Sequence, residues 1–182
     1  MVESIQGKIE EKIIDWAVKG AGDRLVILKP EEGHKKADLI VEQKGDYELR
    51  EYKAMGQSHT VKTQIFGSSP KKNVKKLNIF VRGEAKIAKE VTLTKEINIE
   101  ELESFKNCYL LFVFFDEVRQ DIGEYLCLIT LEKFREIAAD KKGENILKFE
   151  SFLSPEKEDK FSKFLLQKKD LSQTLFHLTS HV

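Results

Sequence analysis

Three side chains in the first third of the chain have the types and spacing to act together: Asp38, Glu51 and Lys53. Residues 37–43 (ADLIVEQ) and 47–53 (YELREYK) read as strands, and Lys44-Gly45-Asp46 between them is a short glycine-containing connection, which predicts a hairpin. Side chains alternate along a strand, so Glu51 and Lys53 point to one face about 7 Å apart. In a tight antiparallel hairpin the first residues of one strand lie opposite the last residues of the other, which sets Asp38 beside Glu51. Two carboxylates packed on a half-buried face repel. A hard divalent cation removes that cost, and Mg²⁺ is usually held by one or two carboxylates together with substrate phosphate. The plainer reading is a surface hairpin on which Glu51 and Lys53 form cross-strand pairs. Against it, Asp38 precedes Leu39-Ile40-Val41, and Leu49 shares a face with Glu51 and Lys53, so that face is expected to be half buried.

Charge is distributed to match. The chain has 31 basic and 31 acidic residues, yet from Lys53 to Lys95 ten Lys or Arg stand against two acids, Glu84 and Glu90. That segment carries +8 and the remainder −8. Affinity for a polyanion comes from local positive charge that displaces counterions, so Lys62, Lys71, Lys72, Lys75, Lys76 and Arg82 are expected to contact nucleic acid. A lysine run alone is more often a solvated face. Its position directly after the acidic hairpin raises the functional reading.

The stretch KADLIVEQKGDYELREYKA resembles the PD-(D/E)XK superfamily of nucleases. That pattern is an Asp, often after Pro, then a variable gap on a hairpin, then Asp or Glu, any residue, and Lys; Ala37 stands where the Pro would be. The first helix in this family often carries a Glu one turn after a Gly, matched by Gly7 and Glu11 in QGKIEEKIIDW, with Glu10 the neighbouring alternative. The resemblance covers residues 5–55 and, more loosely, the later strands CYLLFVFFDE and EYLCLITLEKF. It implies an α/β restriction-endonuclease-like fold, a mixed central sheet flanked by helices. It implies Mg²⁺ or Mn²⁺ held by Asp38, Glu51 and the Tyr52 carbonyl, with Glu11 reaching the ion directly or through water. Lys53 would orient the attacking water and stabilise developing negative charge. The implied reaction is hydrolysis of DNA phosphodiesters to a 5′-phosphate and a 3′-hydroxyl. Lys62 and Gln64 follow the hairpin where such nucleases often place an auxiliary polar residue. A nuclease that cuts both strands often works as a homodimer. The rival readings are a non-catalytic nucleic-acid-binding protein that retains the fold, and an interaction protein whose charges serve solvation alone.

The elements that must position these residues follow from periodicity. Residues 3–19 read as a helix with two apolar stripes, one through Ile5, Ile9, Ile13, Trp16 and Ala17, the other through Gly7, Glu11, Ile14 and Val18, ended by Gly20 and Gly22. Arg24–Leu28 reads as a strand, and residues 74–97 fit strand or helix. Asn98 with Glu101 marks a short helix. CYLLFVFF (108–115) and YLCLIT (125–130) read as buried strands, and Thr130 caps a helix at Leu131–Ala139. Ser154-Pro155 reads as a further helix start, with Phe161, Phe164 and Leu165 on its apolar face. This order predicts a mixed sheet covered on both faces. Residues 1–150 are expected to form the nuclease-like domain, with 151–182 a helical extension packed on it. The two cysteines, Cys108 and Cys127, lie in apolar runs and read as buried free thiols. His177 and His181 read as a solvated tail and His59 as loop. No run is long and apolar enough to span a membrane and no signal peptide is apparent, which together predict a cytoplasmic protein with no membrane partner.

Overall fold

The computed structural model describes residues 3–22, 24–30, 36–43, 75–88, 90–139 and 143–180. In chain order the elements are α1 (Ile5–Ala21), β1 (Leu25–Leu28), β2 (Leu39–Gln43), β3 (Leu77–Ala85), β4 (Leu93–Asn98), α2 (Ile99–Leu102), β5 (Cys108–Asp116), β6 (Asp121–Ile122), β7 (Tyr125–Thr130), α3 (Leu131–Ala138), β8 (Ile146–Ser151), β9 (Leu165–Gln167) and α4 (Leu171–Ser180). The main sheet runs β1-β2-β3-β5-β7-β9, and β6 also pairs with β5. Among the described residues only β3 and β5 pair in parallel; the other pairs of this sheet are antiparallel.

The near-continuous apolar run of β5 needs cover on both faces, and it has it. Leu111, Val113 and Phe115 pack with Ile9, Ile13 and Ala17 of α1 and with Leu171 and Leu175 of α4. Leu110, Phe112 and Phe114 face the other way, toward Phe134 of α3 and toward Leu93, Leu147 and Phe149 of a separate two-stranded sheet, β4-β8. The protein is therefore α/β with a mixed central sheet, as the residue pattern predicts, but a small second sheet supplies part of the cover. Thr130 caps α3 as expected, accepting a hydrogen bond from Lys133 N. Cys108 and Cys127 are buried free thiols. Burial pushes the Cys108 thiol up to about 11 and the Cys127 thiol further, so neither is poised as a nucleophile. Among the described residues no helix is long and apolar enough to cross a membrane.

One expectation is corrected and others are sharpened. Helix α1 runs through Gly20 and ends at the expected Gly22, a left-handed cap (φ 58°). Gly20 serves instead as a point of close approach, since a Cβ there would sit 2.0 Å from Ser172 Oγ of α4. Residues 74–97 hold two strands, β3 and β4. Ile40 and Val41 pair with β1 along one edge of β2 and with β3 along the other. The expected hairpin partner, residues 47–53, lies outside the described residues. Finally, Ser154-Pro155 opens no helix. Asp159 accepts hydrogen bonds from Ser151 Oγ and from the backbone N–H groups of Phe152 and Phe161, and these local bonds hold the segment as a loop. The chain beyond residue 151 adds β9 to the main sheet and packs α4 against α1.

One clamp ties α1 to the far side of the sheet. Asp121 accepts the Trp16 indole N–H at 2.9 Å and the Lys168 ammonium at 3.0 Å, and the ammonium lies 4.9 Å from the Trp16 ring centroid. Burial alone would raise the Asp121 carboxyl. The hydrogen bonds from Trp16, Lys168 and the Ile122 N–H, with the Lys168 charge, outweigh it and hold the group below the usual range. A carboxyl so lowered contributes stability that is complete above its unfolded value of about 3.9 and is lost as pH falls through the folded value. Asp121→Asn should therefore cost about 1–3 kcal/mol at neutral pH and show a shallower acid loss than the parent. Thermal midpoints of the two proteins across the acid range check this; identical curves would remove the clamp from the account.

Candidate site at the end of the sheet

Asp38 immediately precedes β2, and the register of β2 against β3 sets Leu39 opposite Ile79. Asp38 is thereby placed against the middle of β3, where its Oδ2 accepts from Val81 N at 2.8 Å and from Arg82 Nη1 at 2.8 Å. Helix α1 comes down on the same stretch of β3 because Gly83 has no side chain. A Cβ at Gly83 would meet the Val113 carbonyl oxygen at 2.2 Å and Ile9 Cδ1 at 2.8 Å. Gln6 fastens the helix there: its Nε2 donates to the Val81 carbonyl at 2.9 Å and to Glu10 Oε2 at 2.8 Å. The other oxygen of Glu10 pairs with Lys29 Nζ at 3.0 Å, just past the end of β1.

Glu10, at 6% exposure, is thus the helix acid that faces the sheet. Glu11, the expected one of the two neighbours, is exposed to solvent. The phase of the helix explains this. Gln6, Glu10, Ile13 and Ala17 recur at the spacing of one helical face, and Ile13 and Ala17 are buried on it. One residue on, Glu11 is turned by about 100°.

Burial is the main influence on the Asp38 carboxyl and raises it; the Val81 N–H and the Arg82 charge act against burial, while the charge of Glu10 adds to it. The net direction is upward. Glu10 and Asp38 therefore interact as like charges, each partnered by one cation, Lys29 or Arg82. The four charges sum to zero. Among the described residues no group of three or more His, Cys, Asp or Glu converges as a metal cage would. The pair Glu10 and Asp38 offers only hard oxygen donors, the kind that suits Mg²⁺ or Mn²⁺.

Glu51, Tyr52, Lys53, Lys62, Gln64, Lys71 and Lys72 lie outside the described residues. Of the remaining cations of the basic run, Lys76 pairs with Glu42 at 3.4 Å and Arg82 with Asp38, while Lys95 pairs with Glu84 at 3.3 Å. Lys75 N donates to the Thr179 carbonyl at 2.8 Å. Gln43 Nε2 donates to the Phe176 carbonyl and to Ser180 Oγ, so the last turn of α4 holds the chain at both residues that border 44–74. The run is thus partly neutralised, by Glu42 and Asp38 from outside it and by Glu84 from within it. Lys29 carries no signal in the sequence, since its closeness to Glu10 arises only from the order of strands. Gln6 could have been found from the stripe it shares with Glu10.

No family model matches the chain, and no curated protein or solved structure is similar to it.

Proposed function

We propose that the protein is a metal-dependent nuclease that hydrolyses DNA phosphodiesters, with a restriction-endonuclease-like fold of the PD-(D/E)XK kind. The observation that carries this reading is that a helix acid and a strand-start acid come to the same point of β3: Gln6 bridges Glu10 to the Val81 carbonyl, and Asp38 accepts from the Val81 N–H. The first-helix acid and the strand-start Asp are two of the groups the resemblance calls for, and the helix covering the sheet is in the layer it implies.

In this reading Asp38 and Glu10 would hold Mg²⁺ or Mn²⁺ together with Glu51 and the Tyr52 carbonyl. Such an ion supplies an acidified water and neutralises charge on the phosphoryl group. Lys53 positions the water and stabilises the developing negative charge. Chain length permits the assembly without the hairpin. Gln43 to Asp38 spans five residues of strand, about 17 Å. Gln43 to Glu51 is eight residues, which can extend to about 26–29 Å. The lysines at 62, 71 and 72 would follow the phosphate backbone. Water adds to phosphorus as the bond to the 3′-oxygen breaks, so a 5′-phosphate and a 3′-hydroxyl are the expected products, and a homodimer is the expected form if both strands are cut.

One observation favours a second reading, a nucleic-acid-binding protein without catalysis: each carboxylate of the cluster already holds a cation. One experiment separates the two. Labelled duplex, single-stranded and branched DNA are incubated with the protein in Mg²⁺, Mn²⁺ or EDTA. Cleavage that requires the metal is the expected result. Salt-sensitive binding with no cleavage would transfer the protein to the second reading, and absence of binding at low salt would remove both.

A further inference from the structure

Arg82 stands between two tasks. Its charge belongs to the basic run, yet its Nη1 is spent on Asp38 Oδ2 at 2.8 Å and on the Val81 carbonyl at 2.8 Å. The side chain is 36% exposed and that of Asp38 28%, so the pair lies at the surface of the cluster rather than beneath it. Lys29 cannot take over at Asp38 while it neutralises Glu10. If Arg82 leaves, Asp38 still keeps the Val81 N–H. A guanidinium carries five donors in a planar fork that matches the oxygens of a phosphate, and both hydrogen bonds it makes among the described residues use one nitrogen.

We propose that Arg82 is a switch between the metal site and the nucleic acid: it neutralises Asp38 when no cation is present, and turns to a DNA phosphate once Asp38 is neutralised by one. This rests on the nuclease reading of the same site. A divalent cation and a guanidinium on one carboxylate repel each other, so occupation of the site releases the arginine. Metal and DNA then bind with positive coupling, carried by one side chain. The ion pair acts as an autoinhibitory contact that holds a phosphate-binding group out of use until the site is charged.

The test needs neither metal nor cleavage. Asp38→Asn imitates a neutralised carboxylate while keeping its shape. Binding of a short labelled duplex is followed by fluorescence anisotropy in EDTA for the parent, Asp38→Asn, Arg82→Gln and the double variant, with thermal melts to confirm folding. Asp38→Asn should bind about tenfold tighter, with a salt slope steeper by about one phosphate contact. Arg82→Gln should cost about twofold in the parent and about tenfold in the Asp38→Asn background, a non-additivity that simple loss of a negative charge does not produce. Asp38→Asn/Arg82→Lys, which keeps the charge without the fork, should retain part of the gain. Equal costs of Arg82→Gln in the two backgrounds would overturn the switch. Because the readout is binding, an additive result from a protein that cleaves sinks the switch alone. Non-additivity in a protein that never cleaves sinks the nuclease reading and leaves Arg82 gated by Asp38.

Discussion

Asp38→Asn should abolish metal-dependent cleavage, with a loss of more than about three orders of magnitude, while leaving the protein folded. The substitution removes a charge that an oxygen-liganded cation requires, so Mn²⁺ affinity should fall together with activity. Folding should survive because burial already disfavours the ionised form of Asp38, as its raised pKa records. The same direction sets a pH dependence: the carboxyl protonates above the usual Asp range, so metal binding should fade at a higher pH than an exposed aspartate would give. Lys53→Ala should behave differently. It removes a cation that opposes metal binding, so Mn²⁺ affinity should persist while cleavage drops by about two to three orders, the effect of one lost electrostatic stabiliser. Within the first helix, Glu10→Gln should weaken Mn²⁺ binding far more than Glu11→Gln, since only Glu10 faces Asp38. Manganese titration and single-turnover cleavage on these variants decide the matter. Full activity in Asp38→Asn would remove the site from this end of the sheet.

The largest effect on stability is expected at Phe149. Its ring is fully buried, stacks on Phe112 of β5 with centroids 3.6 Å apart, and lies 4.6 Å from the Phe161 ring. This contact is the joint between the small β4-β8 sheet and the main one. Phe149→Ala removes the ring and leaves a cavity that Phe112, Phe134 and Phe161 cannot all close in on, at a cost of about 3–5 kcal/mol. Phe149→Leu, which keeps most of the volume, should cost clearly less. Urea unfolding monitored by circular dichroism measures both. An unfolding free energy for Phe149→Ala within about 1 kcal/mol of the parent would show that the second sheet is held by something other than this stack. DNA binding by the folded fraction should not change, because Phe149 packs on the face of the sheet away from α1.

The sequence by itself determined the centre of the molecule. β5 and β7 are runs of apolar residues too continuous for any place except a strand covered on both faces, and both are where they were expected. α3 was legible to its cap, because Thr130 and the Leu131, Phe134, Ala138 spacing are local signals. What pairs with what was decided only by tertiary structure. Leu77, Ile79 and Val81 bring β3 to the edge of β2 and bury there, a pairing that no local signal in either strand announces. Within residues 74–97 the strands were hidden because lysines interrupt the alternation of apolar residues. Glu10 and Glu11 differ by one residue, and composition cannot say which side of a helix a sheet will touch; Gly83 decides it by admitting the helix over Val81. Arg82 counted as one more cation of a basic run until the register of β2 on β3 set it against Asp38. Charge along a chain is additive, but its partners are assigned through space, and burial of apolar residues elsewhere makes the assignment.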